Sequence, residues 1–409
     1  MRILIVTKGL YDFFYSLQGE LLGLGHEVYM LHLDADYLDE SKDKKKDILH
    51  GSECDLVFTA NLFGGDDLKK SILNLLGSFN ITCPIISVTW GHPVENLEQF
   101  WLRYDVKQIN AIIKDLRVLF WSPCQKAAQE YSRLGFESIM FAGLGLSKKI
   151  HTYPFMRWLK PEQATNTEYL DLIKKTRHDF AKDISQTKII YMGILPEKPQ
   201  NVDPEIDSLV RDLVAISIAD PSLSRNDMEQ MWSYVFSKPL SEQTSYFNRV
   251  VLAFRYHHAM ATRRVFVHRL KKEFAKDFLL IGDHWIADKL DAEPTQGIIS
   301  RGLLYNQIPI SIDFGSTTFE TCFFPRPIEI VKNYGCLLSY RHYDSEKYFK
   351  DSSESLVFSN PDDMCEKIDA LLSNPAKRDQ CCEDLYRTFA QHHVMQKSIK
   401  KLIAQAMKL

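Results

Sequence analysis

The chain has 409 residues, 45% hydrophobic and 25% charged, with Lys+Arg 50 against Asp+Glu 53 and a formal charge of −3. That length predicts two or three domains, and the mixture excludes collagen-like, low-complexity and disordered chains. The even charge argues against nucleic acid as the main partner, because phosphate neutralisation needs a basic surface; it leaves room for a local basic pocket that takes one or two phosphates.

In chain order, the first segment alternates strands and helices. Short Val- and Ile-rich runs at 3–7, 27–32, 55–60, 84–89, 117–121 and 138–141 are nearly continuous in hydrophobicity, as strands buried on both faces are. Helix-like stretches at 15–23 and 106–116 lie between them, and Gly25 ahead of His26–Glu27–Val28 marks a helix end followed by a strand. Such alternation predicts a parallel, doubly wound α/β sheet. Residues 148–186, with Pro154, Pro161 and many charges, read as a connector. A strand at 188–193 opens a second half, and 203–276 is an amphipathic helical insert. Alternation resumes at 278–281, 297–300, 308–313, 335–339 and 356–359. Helices are predicted at 361–373, 376–391 and 394–408, the first announced by Asn360–Pro361–Asp362–Asp363, with Pro at the first helical position. The expected domains are therefore 1–186, a Rossmann-like unit with its connector, and 187–409, a second Rossmann-like unit carrying the insert and terminal helices.

No run nears the roughly 20 apolar residues of a membrane span, and the apolar stretch at the N-terminus is too short for a signal peptide. A cytoplasmic protein is expected, with peripheral membrane contact left open. The eight cysteines are scattered without CxxC spacing and read as reduced core thiols.

The C-terminal half carries the informative motifs. Gly282–Asp283–His284–Trp285 closes a strand; Tyr305–Asn306 leads into the strand ending at Asp313; Arg326-Pro-Ile-Glu329 opens a helix; Gly335 leads a further strand. In order and spacing this resembles the C-terminal domain of the CgeB-like, spore-maturation-type branch of GT-B fold glycosyltransferases, as do Asn360–Asp363 and His392–His393 before the last helix. The resemblance is best over 275–408 and weaker over 1–193, where His92 stands before Pro93 in place of the family's acidic residue. Glu320 and Glu329 are nine positions apart, one more than in the common retaining pattern; Glu329 matches the terminal glutamate, and a role for Glu320 is not carried over. The resemblance implies two Rossmann-like domains facing across a cleft, and a glycosyltransferase that moves a sugar from a nucleotide-sugar donor to an acceptor hydroxyl. It also implies a setting in bacterial surface glycan or glycoconjugate synthesis.

The chemistry assigns roles within that layout. A ribose diol suits a carboxylate that accepts two charge-assisted hydrogen bonds, and Glu329 on the first turn of a helix is the candidate; the plainer reading is a helix-start acid favoured by the dipole. A diphosphate suits backbone N–H groups and a cation, hence Ser316, Thr317 and Arg326, with no metal required and no cofactor expected. Gly193 would let the backbone approach the donor, and Trp285 offers a face to the base, although a core Trp is the commoner case. Tyr305–Asn306 is expected to be structural. On the acceptor side stand Lys8 and Gly9 in the loop after the first strand, with His92 and, less favoured, Asp12 as candidate catalytic groups. The absence of G-x-G-x-x-G after that strand weakens a dinucleotide reading. Asp34–Ala35–Asp36 spells D-x-D in the wrong setting for metal–diphosphate binding, and 42–47 is a solvated charge run. The adjacent pairs His257–His258, His392–His393 and Cys381–Cys382 diverge by about 100° on a helix and cannot easily share one metal. Two alternatives stand beside the transferase: a non-catalytic nucleotide-sugar-binding protein on a GT-B scaffold, and a sugar-nucleotide epimerase.

Overall fold

The computed structural model describes residues 1–7, 12–32, 54–60, 82–89, 106–133, 135–143, 186–193, 204–219, 245–285, 289–293, 301–315, 325–341, 345, 349, 353–392 and 395–409. The expected strand at 297–300, the 148–185 connector, Asp34–Ala35–Asp36 and the 42–47 charge run lie outside them. Contacts divide the chain into two compact units: Met1–Tyr153 with His393–Leu409, and Pro154–His392.

The first unit runs β1 (Arg2–Thr7), α1 (Asp12–Gly23), β2 (Glu27–His32), β3 (Leu56–Ala60), β4 (Ile85–Val88), α2 (Val106–Asp115), β5 (Val118–Ser122), α3 (Gln125–Arg133) and β6 (Ile139–Phe141). Its six strands are parallel in the order β2-β1-β3-β4-β5-β6. Alternate strand residues serve opposite faces. Leu4, Val6, Val57, Ile85, Val118 and Phe120 join Ile109 and Ile113 of α2 and Tyr131 of α3 in one buried cluster. The other face receives α1, whose Phe13 ring lies 5.4 Å from that of Trp121. Gly25 adopts φ +82 with open space around it, the left-handed turn that ends α1, as the sequence predicts.

The second unit runs β7 (Ile189–Met192), α4 (Pro204–Ala219), α5 (Ser245–Phe274), β8 (Phe278–Ile281), α6 (Arg301–Gln307), β9 (Ile310–Asp313), α7 (Pro325–Lys332), β10 (Leu337–Tyr340), α8 (Ser353–Leu356), β11 (Val357–Phe358), α9 (Pro361–Ser373) and α10 (Pro375–His392). Its five parallel strands are ordered β11-β10-β9-β7-β8. Their near-continuous apolar runs are buried on both faces. From α5, Phe266 packs against Phe314, Tyr340 and Phe358 at ring separations of 5.2–5.4 Å. His257 of α5 bonds Asp207 of α4 at 2.6 Å. Asn360 caps α9 with Pro361 at its first turn, accepting from the N–H groups of Asp362 and Asp363 at 3.1 and 2.9 Å.

The last helix, α11 (Met395–Ala406), belongs to the first unit, whereas the sequence expectation kept it with the second domain. The reason is its apolar stripe: Met395, Ile399, Leu402 and Ala406 are buried where α11 meets α1, β4 and β5. Ser398 Oγ donates to Gly143 O at 2.8 Å. Among the described residues, no helix is long and apolar enough to cross a membrane.

Candidate functional site

In an open parallel α/β sheet, ligands bind beyond the carboxyl ends of the strands where successive connections diverge to opposite sides. In the second unit the chain goes from β7 outward to β8, then returns past β7 to β9 and on to β10. The divergence falls between β7 and β9. Residues at and just past their ends are Tyr191, Gly193, Asp313, Phe314 and Gly315.

Arg326 is brought there by α7. Two prolines, Pro325 and Pro327, fit a first helical turn because its N–H groups have no intrahelical partner. Ile328, Ile330 and Val331 are buried and seat the helix, while Arg326 and Glu329, three apart, share the less buried side. The far end of α7 is anchored by the Tyr-Asn motif. Asn306 donates to Asn333 O at 2.9 Å, Tyr334 takes φ 57, and Gly335 N–H returns to Ile330 O at 2.9 Å. A Cβ on Gly335 would sit 2.8 Å from Tyr305 O, so only glycine lets α6 pass this close. Tyr305 is 2% exposed, and both motif residues have the structural job expected of them.

The Arg326 guanidinium meets Asp313. Nη1 donates to Oδ1 at 2.9 Å, with side-chain exposures of 26% and 3%. Asp313 Oδ2 accepts from Gly315 N–H at 3.0 Å, so both carboxylate oxygens are engaged. The guanidinium carbon lies 5.5 Å from the Tyr191 ring centroid, a cation–π arrangement. Burial opposes the charge on Arg326, but Asp313, with the Tyr191 and Tyr305 phenols nearby, outweighs it and raises the guanidinium's proton affinity above the ordinary value. Arg326 is therefore a fixed cation.

Trp285 differs from the expected stacking face. It is fully buried, its indole donates to Gly193 O at 2.7 Å, and its ring stands edge-on to Tyr191 at 6.3 Å. It braces the end of β7. Gly193 likewise makes room for a neighbour: a Cβ there would run into Tyr191 Oη and lie 2.6 Å from Cζ. The phenol of Tyr191 lies where a side chain on Gly193 would be. Its hydroxyl is buried and has no hydrogen-bond partner among the described residues.

Glu329 is half-buried on α7, and its carbonyl accepts from Asn333 Nδ2 at 2.7 Å. Lys8, Gly9, His92, Ser316 and Thr317 lie outside the described residues, and Asp12 is known only as the first residue of α1. Asp313 and Tyr191 were not singled out from sequence. The available signal was an acid closing an otherwise buried parallel strand, where burial of a carboxylate demands a partner. Among the described residues no three His, Cys, Asp or Glu side chains cluster to hold a metal. Of the adjacent histidines, His257 turns to Asp207 and His258 to Thr262, as their divergence on a helix requires.

Residues 262–404 match the family model described as Glycosyl transferase-like. The match takes in Asp313, Arg326 and Glu329 and leaves out Tyr191, Gly193 and the whole first sheet. No curated protein matches the chain. Among solved structures, the N-terminal domain of Candida albicans trehalose-6-phosphate phosphatase is similar at TM-score 0.50 and 10% identity, over 100% of this chain and 96% of that one; the likeness is one of fold. A glycosyltransferase from Rickettsia africae is similar at TM-score 0.46 and 12% identity, over 100% and 98% of the two chains. A T4 phage BGT mutant in complex with UDP-glucose is similar at 0.47 and 10%, over 100% of both.

Proposed function

We propose that this protein is a GT-B class glycosyltransferase that moves a sugar from a nucleotide-sugar donor to an acceptor hydroxyl. The observation that carries the reading is a coincidence of sequence and place. The glycosyl transferase-like segment contains Arg326 and Glu329, and α7 sets Arg326 against the end of β9 beside the β7–β9 divergence.

In this reading the donor diphosphate meets Arg326 and the first turn of α7, and Ser316 and Thr317 add hydroxyl contacts. Glu329 takes the ribose diol. Transfer breaks the bond from the sugar's anomeric carbon to the phosphate oxygen and forms one to the acceptor oxygen. The electron pair leaves on the diphosphate, whose charge Arg326 and the helix N-terminus stabilise without a metal. The acceptor proton passes to a base, for which His92 is the first candidate and Asp12 the second; Lys8 and Gly9 belong to the acceptor-side loop. The finer placing is the CgeB-like branch, with a cytoplasmic enzyme that serves bacterial surface glycan synthesis.

The test is turnover of a panel of UDP-, GDP-, ADP- and CMP-sugars by folded protein, read as nucleotide release with and without acceptor. At least one donor is expected to turn over, and failure of all to bind would sink the reading. Glu329→Ala is expected to weaken donor binding at least about tenfold through loss of charge-assisted bonds.

A further inference from the structure

We propose that Asp313 and Tyr191 are positioning residues, which together hold the Arg326 guanidinium ready for the phosphate groups of a nucleoside diphosphate. The inference rests on the donor-site reading above and goes beyond it in naming what aims the cation.

Each side of the guanidinium is constrained by a group that is itself fixed. Asp313 is nearly buried and pinned through both oxygens, one by Arg326 and one by Gly315 N–H. Gly315 has φ 71, a left-handed conformation that glycine adopts without strain and that accompanies the return of its N–H to the carboxylate. The Tyr191 ring is buried, with Phe314 packed against it at 4.4 Å and Trp285 edge-on at 6.3 Å. Trp285 is tied in turn to Gly193 O. A guanidinium carries five N–H donors in a rigid plane. Once one is held by a fixed carboxylate and the face rests on a fixed ring, the direction of the others is set before any ligand arrives. A cation held in place loses less rotamer entropy on binding than a free one. This chain of supports is in place while Arg326 keeps about a quarter of its side chain exposed.

An opposite account is that Asp313 competes with an anionic ligand by neutralising Arg326. The two accounts predict opposite signs. A purely architectural ion pair predicts a third result, lower stability with no selective effect on phosphate recognition.

The experiment is calorimetric titration of the full chain with UDP, GDP, ADP and CDP and with the matching nucleosides. The chains compared are wild type, Asp313→Asn, Tyr191→Phe and Tyr191→Leu. Positioning predicts that Asp313→Asn weakens diphosphate binding about tenfold, the worth of one charge-assisted bond, and leaves nucleoside binding unchanged. Tyr191→Phe keeps the ring and is expected to bind as wild type. Tyr191→Leu loses the cation–π support and is expected to bind about fivefold more weakly. Unchanged or tighter diphosphate binding by Asp313→Asn overturns the proposal, as does equal loss for nucleoside and diphosphate.

A second measurement needs no nucleotide. The rate of phenylglyoxal modification of Arg326, followed by peptide mass spectrometry, is expected to rise about fivefold in Asp313→Asn and in Tyr191→Leu, and to stay at the wild-type rate in Tyr191→Phe. Rates equal to wild type in the first two variants overturn the positioning of Arg326. If no nucleoside diphosphate binds the wild type, the transferase reading falls, and the modification rates alone decide whether Asp313 and Tyr191 hold the guanidinium.

Discussion

The two sheets obey one topological rule and furnish it differently. In the first unit the chain diverges between β1 and β3; in the second, between β7 and β9. Near the strand ends of the first unit lie buried hydroxyls. Thr89 Oγ1 donates to Trp121 O at 3.3 Å and Ser122 Oγ to Cys124 O at 3.0 Å, and Thr7 and Thr59 are buried. At the second divergence are a buried carboxylate, a quarter-exposed guanidinium and an aromatic ring beneath it. Topology locates both sites, and only side-chain chemistry tells them apart. The Thr89 and Ser122 hydroxyls, spent on backbone, suit a scaffold; a cation fixed beside a helix N-terminus suits a phosphate.

The sharpest cut between the two regions is Leu402→Ala. Leu402 is fully buried on α11, which packs on the first sheet from the far end of the sequence. The cavity is expected to cost about 3 kcal/mol. Hydrogen exchange should quicken in peptides covering β4 and β5 and stay unchanged in those covering β7 to β10. Equal quickening in both would show that the units share one cooperative core.

Next in size is Arg326→Ala, which leaves the Asp313 carboxylate buried without its cation. Breaking a buried pair costs about 3–5 kcal/mol, and the partial exposure of Arg326 lowers the expectation to about 2–3 kcal/mol in urea unfolding. The double variant Asp313→Leu/Arg326→Met should recover most of that stability while binding no nucleoside diphosphate. Recovery of stability together with binding would remove the pair from the donor site.

Much of the scaffold was legible in the sequence because its signals are local. The runs that became β7 and β8 are almost wholly apolar and β9 alternates Ile with Ser311 and Asp313, and the Asn360–Pro361 cap lies within four residues of the N–H groups it satisfies. Arg326 was legible as a cation at a helix start. What held it was not: Asp313 lies 13 positions earlier in the chain, and Tyr191 is on another strand. Trp285 could not be assigned to core or surface, since an indole suits both and burial depends on neighbours far along the chain. The return of α11 to the first unit left no local trace, because an amphipathic stripe states that a helix docks and not where.

A smaller contrast sets two glycines against each other. Gly25, ending α1, has open space and only its positive φ to defend, so Gly25→Ala should cost about 1 kcal/mol. Gly335, ending the turn after α7, faces backbone: Tyr305 O at 2.8 Å and Ile330 O at 3.1 Å would both meet a new Cβ. Gly335→Ala should cost about 2 kcal/mol, since overpacking against main chain relaxes poorly. It should also weaken nucleoside diphosphate binding by displacing α7. A loss of stability without any loss of binding would separate the α7 anchor from the donor site.

The smallest expected effect tests the comparison where the two units look alike. Among the described residues, buried hydroxyls without a hydrogen-bond partner are Thr59 on β3 in the first sheet and Tyr191 on β7 and Ser311 on β9 in the second, all on strands flanking a divergence. An unsatisfied buried hydroxyl costs desolvation that an apolar group of the same shape does not. Thr59→Val and Tyr191→Phe should therefore leave thermal stability unchanged or raise it by up to about 1 kcal/mol. A stability loss above that size in either variant would mean that its hydroxyl has a partner in the folded chain. Such a loss at Tyr191 alone would shift part of the support of Arg326 from the ring face to the phenol oxygen, and the resemblance between the two strands would end at their topology.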